Sequence, residues 1–211
     1  MLRFRIRYNK DTPLQYIGNL DLHKVWERYL RRARIPVAYT QGFHPQPKIQ
    51  QAAPLPLGFL SQNDLIDVWL NTEYWTESDF LNHLKLTQQP GIQILSIDSV
   101  PLNSASLPTL ILSSTYRVIP LDPINLTHLQ NRLKEMLERP SIIRARRNKA
   151  YDLRPLIEKI EVISLGADCV EFQMQLSARE GATGRPDEVL AELELDPYAA
   201  RYIRTGFIMK E

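Results

Sequence analysis

Lys24, Arg28, Arg31 and Arg32 recur at helical spacing and run into Arg34, so one helix face would be lined with cations. Glu27 can reach Arg31 at i,i+4, which leaves most of this charge without a local partner. Shortly after it, Gly42-Phe43-His44-Pro45-Gln46-Pro47-Lys48 sets a ring, an imidazole and an ammonium around two prolines. Prolines lower the entropy lost when a loop must present side chains to a ligand. Phe43 and His44 would stack on unpaired bases, worth roughly 1–3 kcal/mol per base, and Lys48 would neutralise a phosphate. A third group is Arg144-Ala145-Arg146-Arg147-Asn148-Lys149, followed by Tyr151 and Arg154. Guanidinium groups donate bidentately to phosphate, and Tyr151 adds a stacking ring. Such residues suit the holding of an anionic polymer, RNA in particular.

Each group also has a plainer reading. The helix charges would form a solvated face, Phe43 would pack into the core at a hairpin tip, and the Arg144 cluster would be a solvated hairpin. Catalysis by His44 needs a positioned partner, and none stands nearby in sequence. The rival function is a metal-independent endoribonuclease in which His44 acts with Lys48 or Arg28. It rests on analogy with CRISPR repeat-processing nucleases of tandem ferredoxin-like fold. A third reading is a protein-interaction domain that binds no RNA, with Trp69, Tyr74 and Trp75 as anchors.

Phosphate-binding glycine loops, paired metal-ligand spacings and a nucleophile elbow are missing from the sequence. His23, His83 and His128 fall at helix positions without clustered partners. Asp64 and Asp67 read as strand-surface carboxylates. Cys169 is the single cysteine, which excludes an intrachain disulfide and a cysteine-built zinc or iron–sulfur site. Its alternating strand context suggests a core thiol. No cofactor is expected in this chain. Apolar runs such as residues 107–112 fall far short of the ~20 residues that span a bilayer. Residues 2–8 read as a strand and not as a signal peptide, so a cytoplasmic protein is expected.

The net charge of +2 hides a segregation. Residues 1–48 carry ten Lys/Arg against three Asp/Glu, residues 49–105 one against six, and residues 132–159 nine against four. The two basic segments would line one positive groove if the fold brought them together.

The elements that must position these residues follow from hydrophobic period. Residues 2–8 alternate apolar and basic, so Arg3, Arg5 and Arg7 share one strand face. Asn19 would cap a helix over 20–34, whose Leu22, Val25, Trp26, Tyr29, Leu30 and Ala33 form one buried stripe. Strand pieces at 37–39 and 49–53 flank the Gly42 loop, with a further strand over 64–70. A short helix opened by Thr76-Glu77-Ser78-Asp79 and a strand over 92–100 complete the order. The second half repeats it: strand 115–119, helix 125–137, an extended region over 142–163, strand 170–176, helix 186–195 and strand 202–209. The fold expected is α+β, two tandem ferredoxin-like β-α-β-β-α-β units with antiparallel sheets over 1–104 and 105–211.

Gly18-Asn19-Leu20-Asp21, the Arg-rich helix, the Gly42–Lys48 loop and Pro54-Leu55-Pro56-Leu57-Gly58 carry a resemblance. It continues through Asp152-Leu153-Arg154-Pro155-Leu156-Ile157 and Arg185-Pro186-Asp187-Glu188-Val189-Leu190. On these motifs the chain resembles the radical SAM-linked protein family, whose domain stands alone or ends a larger radical SAM protein with a cobalamin-binding-like region. The family's usual helix entry, Ser-His-Leu-Asp, is Gly18-Asn19-Leu20-Asp21 here, so no role of that histidine carries over. Its genes lie near those of ribonuclease E/G-type enzymes and ribosomal proteins, which implies a connection to RNA. With no Cys-x-x-x-Cys-x-x-Cys motif, this chain would serve a radical SAM enzyme as substrate-recognition domain or partner.

Overall fold

The computed structural model describes residues 1–146, 149–166 and 169–210. It is a mixed α+β fold of antiparallel strands, with five α-helices among the described residues, and it divides into two compact units, Met1–Ile111 and Leu112–Lys210.

In the first unit β1 (Leu2–Lys10) pairs antiparallel with β3 (Leu60–Leu70) and β4 (Ile92–Ser99), and β2 (Ile49–Gln51) joins the other side of β3. The order is β4-β1-β3-β2. Period two sends Phe4, Ile6 and Tyr8 to one face of β1, and the register sets Ile66, Val68 and Leu70 beside them. Helix α1 (Asn19–Arg32) closes that face with Leu22, Trp26, Tyr29 and Leu30, and α2 (Glu77–Thr87) adds Phe80 and Leu84. Trp26 meets Tyr8 edge-on with centroids 4.8 Å apart, and Phe4 meets Phe80 at 5.5 Å. Such pairs add about 0.5–1.5 kcal/mol each beyond burial. Thr76 and Asp79 form a capping box that starts α2. Gly91, at φ +82°, lies where a Cβ would stand 2.5 Å from Leu14 Cγ, so both backbone and space demand glycine there.

The α1 stripe follows the sequence, but the helix starts one residue earlier than expected. Gly18 is the N-cap, without a side-chain bond, and Asn19 is the first helical residue. Residues 37–39 form isolated bridges, Val37 to Leu70 and Tyr39 to Pro47, and not a strand. After β4, the short α3 (Leu107–Leu110) stays with the first unit, where Leu107 N–H donates to Gln50 Oε1 at 3.2 Å.

In the second unit β9 (Cys169–Arg179) pairs with β5 (Ile111–Pro120), with β8 (Ile157–Gly166) and with the short β10 (Ala182–Thr183). β11 (Ala200–Met209) neighbours β5, giving the order β11-β5-β9-β8. Helix α4 (Leu126–Glu138), capped by Asn125, buries Leu129 and Met136. α5 (Pro186–Glu192) buries Val189 and Leu190 and ends before the expected 195. Between α4 and β8 a separate hairpin pairs β6 (Ile143–Arg146) with β7 (Lys149–Asp152). Cys169 is exposed, against the core reading. Val170, Phe172 and Met174 own the buried phase of β9, so Cys169 shares the outer phase with Glu171 and Gln173. No helix among the described residues is long and apolar enough to cross a membrane.

Candidate nucleic-acid interface

Because Leu22, Trp26, Tyr29 and Leu30 take the inner side of α1, Lys24, Arg28 and Arg31 are left exposed. None of the three side chains forms an ion pair or hydrogen bond among the described residues. Glu27, expected beside Arg31, turns the other way and lies 3.5 Å from His23 Nε2. Arg32 is withdrawn from this face. Its guanidinium donates to Gln88 O at 3.2 Å and Gln89 Oε1 at 2.9 Å, satisfying a carbonyl at the end of α2.

The loop after α1 is tied at its base. Thr40 N–H donates to Gln46 O at 2.9 Å, Gln46 N–H to Thr40 Oγ1 at 3.0 Å, and Lys48 N–H to Ala38 O at 2.7 Å. Its tip carries Gly42 at φ +134°. Phe43 is 102% exposed, which excludes the core-packed reading of its ring. Tyr39 and His44 are exposed beside it in sequence. His44 has no hydrogen-bond partner among the described residues.

Lys48 closes the loop with its Nζ 5.0 Å from the Trp69 ring centre, and the Arg3 guanidinium carbon lies 4.9 Å from the same ring. Beneath them Asp67 is fully buried, not a strand-surface residue, and Asp64 is only 2% exposed. Arg3 grips Asp67 Oδ2 through Nε at 3.0 Å and a terminal nitrogen at 2.6 Å. Arg5 donates to both carboxylate oxygens at 2.8 and 3.0 Å. Arg3 also donates to the carbonyls of Ser104 and Ala105, each at 2.8 Å. The reason is register: Arg5 faces Asp67 and Arg3 faces Trp69 across β1 and β3, so their side chains share the non-core face. The interaction anchors proposed from the sequence largely disappear. Trp69 is 9% exposed and Trp75 packs 4.6 Å from His83, leaving Tyr74 as the exposed ring.

In the second unit Arg144 faces Tyr151 and Arg146 faces Lys149 across the β6–β7 hairpin. Arg147 and Asn148 lie outside the described residues. Arg144 is committed to α5: it donates to Glu188 at 3.1 and 3.2 Å and to Glu192 at 3.2 Å. Arg154 is likewise turned inward, donating to Leu137 O at 3.1 Å near the end of α4. Arg146 and Lys149 remain exposed. Tyr151 is half-buried, and burial, reinforced by the Glu188 carboxylate, pushes its phenol above the ordinary range. Asp152 accepts from Ile142 N–H at 2.7 Å and Arg154 N–H at 3.0 Å. Those hydrogen bonds, chiefly the one from Ile142, hold its carboxyl below the usual range.

The arrangement therefore offers exposed cations on α1 and on the β6–β7 hairpin, with an exposed ring, Phe43, on the loop after α1. No group of three or more His, Cys, Asp or Glu among the described residues is placed to hold a metal ion.

A family model described as "Uncharacterized protein conserved in bacteria (DUF2344)" matches residues 3–186. The chain belongs to the DUF2344 family. No curated protein sequence matches it. Among solved structures, this DUF2344 chain is similar to a chain in the crystal structure of a Cbf5-Nop10-Gar1 complex, with TM-score 0.54 and 10% identity over 97% of its length. It is also similar to a chain of an H/ACA RNP bound to a substrate RNA containing 2'-deoxyuridine, with TM-score 0.50 and 11% identity over 96%. It spans 48% and 46% of those chains, about half. At such identities the likeness shows the fold alone.

Proposed function

We propose that this DUF2344 chain is an RNA-binding module without chemistry of its own, which presents tRNA or rRNA to an enzyme that acts on it. The observation that carries this is the pairing of two features: a cation face on α1 whose Lys24, Arg28 and Arg31 have no partner among the described residues, and a base-tied loop holding Phe43 wholly in solvent. A large apolar ring held in water by a tied loop suits base stacking, and unpaired cations suit phosphate. Arg146, Lys149 and Tyr151 extend the same chemistry in the second unit. The RNA-bound H/ACA particle among the similar structures agrees with it.

On this reading the two units are tandem ferredoxin-like units. The orders β4-β1-β3-β2 and β11-β5-β9-β8, with α1 and α2 or α4 and α5 between the strands, support that assignment. The enzyme served would be a cytoplasmic radical SAM enzyme or a ribonuclease, a partnership that rests on the motif resemblance alone.

Ultraviolet crosslinking to a short single-stranded RNA, followed by peptide mapping, tests the assignment. Crosslinks at Phe43 and His44 are expected. Crosslinks confined to segments outside the two loops and α1 would overturn it, and shortening of the RNA that disappears in His44→Ala would replace it with the nuclease reading.

A further inference from the structure

The sheet of the second unit carries a feature that the basic loops leave unused. On β5, β8, β9 and β11 a solvent-open cleft of about 290 Å³ is lined by Thr115, Lys159, Gln173, Gln175 and Thr205. Strand register makes its floor regular: Lys159, Gln175 and Thr115 lie side by side, with Glu161, Gln173 and Arg117 in the next row. Thr205 Oγ1 donates to Thr115 Oγ1 at 2.9 Å, extending the first row to β11.

Charge in this cleft is cancelled locally. Lys159 Nζ lies 2.8 Å from Glu161, and Arg117 Nε lies 3.3 Å from Glu171. A phosphate would find no spare cation here, in contrast to α1. What the cleft offers is amides and hydroxyls held in place. Gln175 donates to Glu158 at 2.8 Å, and Gln173 to Glu171 at 3.5 Å. Glu158 is itself fixed by Ser113 at 2.5 Å and Arg179 at 2.9 Å. The Gln175 carboxamide thus spends one N–H on a carboxylate and keeps its oxygen and second N–H to offer a ligand, while Gln173, held only by a long contact, is freer to turn toward one. A neighbouring donor and acceptor on one planar group match the edge of a nucleobase.

We propose that this cleft seats one unpaired base of the bound RNA and reads it through Gln173 and Gln175. The inference rests on the RNA-binding reading and adds base selectivity to it: the cations hold the backbone, and the neutral cleft chooses the base.

The test is anisotropy titration of the full chain with short A, C, G and U homopolymers at one salt concentration. Gln173→Met with Gln175→Met keeps side-chain volume and strand shape but removes the amides, and Thr115→Val is a second, milder probe of the same floor. The native chain should prefer one base on the order of tenfold. The double variant should lose that preference while keeping its salt dependence, and Thr115→Val should reduce the preference. Equal binding of all four homopolymers by the native chain, or a preference that survives both variants, overturns the cleft proposal and leaves RNA binding standing. No binding of any homopolymer overturns RNA binding itself, and the cleft proposal with it.

Discussion

Lys48 sets its ammonium 5.0 Å from the centre of the Trp69 ring, at the foot of the loop that carries Phe43 and His44. The same ring receives the Arg3 guanidinium, and Arg3 and Arg5 share the buried Asp67 carboxylate. A loop wholly exposed at its tip therefore stands on a buried ionic base. That separates the residues that would touch RNA from the residues that hold them.

Phe43 contributes nothing to the core. Phe43→Ala should leave thermal stability within about 0.5 kcal/mol while lowering affinity for single-stranded RNA roughly tenfold, the value of one stacked base. Melting curves and anisotropy titrations on the same preparation check both halves.

Asp67 behaves in the opposite way. Asp67→Asn would leave Arg3 and Arg5 buried or half-buried without their counter-charge, and breaking such a pair costs about 3–5 kcal/mol. A fall in Tm of roughly 10 °C is expected for a chain of this size. Asp98→Asn, at an exposed position on β4, should move Tm little. Equal, small shifts for both would show that the buried cluster does not support the fold.

Arg144 and Arg146 alternate along one strand yet should differ in effect. Glu188 and Glu192 already neutralise Arg144, so Arg144→Ala should change RNA affinity less than Arg146→Ala, and the salt dependence of binding should fall only in the latter. Titration of the two variants at matched salt decides it.

Asp152 gives the β6–β7 hairpin a pH dependence. Its folded carboxyl titrates below the ordinary value of 3.8 because Ile142 N–H and Arg154 N–H favour the charged form. The contribution is therefore fully present above about pH 4 and is lost as pH falls through the lowered folded value. Chemical denaturation at descending pH should show native Asp152 losing stability in that window, with Asp152→Asn showing a smaller loss.

Much of this was legible in the sequence wherever period and local chemistry decide. The apolar stripe of α1, the Thr76–Asp79 cap and the alternation of β1 all follow from spacing, and apart from residues 37–39, which form only bridges, and the unexpected α3, the strands and helices follow the expected order. The same spacing turns Lys24, Arg28 and Arg31 outward, but does not reveal the commitment of Arg32 to Gln88 and Gln89. What spacing does not carry is a partner far along the chain. Asp67 reads as a surface carboxylate until β3 is laid beside β1, 62 and 64 residues away from its arginines. Arg144 and Arg154 read as free cations until Glu188, Glu192 and the Leu137 carbonyl arrive from other elements. Cys169 reads as a core thiol for a local reason: it opens an alternating run, but on the outer phase. The polar cleft around Gln173 and Gln175 left only a weak trace, alternate polar residues along β9, because its rows are assembled across four strands.

The central claim is that unpaired cations hold an RNA backbone. Anisotropy titration of single-stranded RNA at about 50 and 200 mM salt tests it most directly, comparing the native chain with Lys24→Ala/Arg28→Ala/Arg31→Ala. If Lys24, Arg28 and Arg31 neutralise three phosphates, native affinity should fall on the order of 20-fold across that range, and that of the triple variant much less. Affinity indifferent to salt, or a triple variant as salt-sensitive as the native chain, would contradict the account.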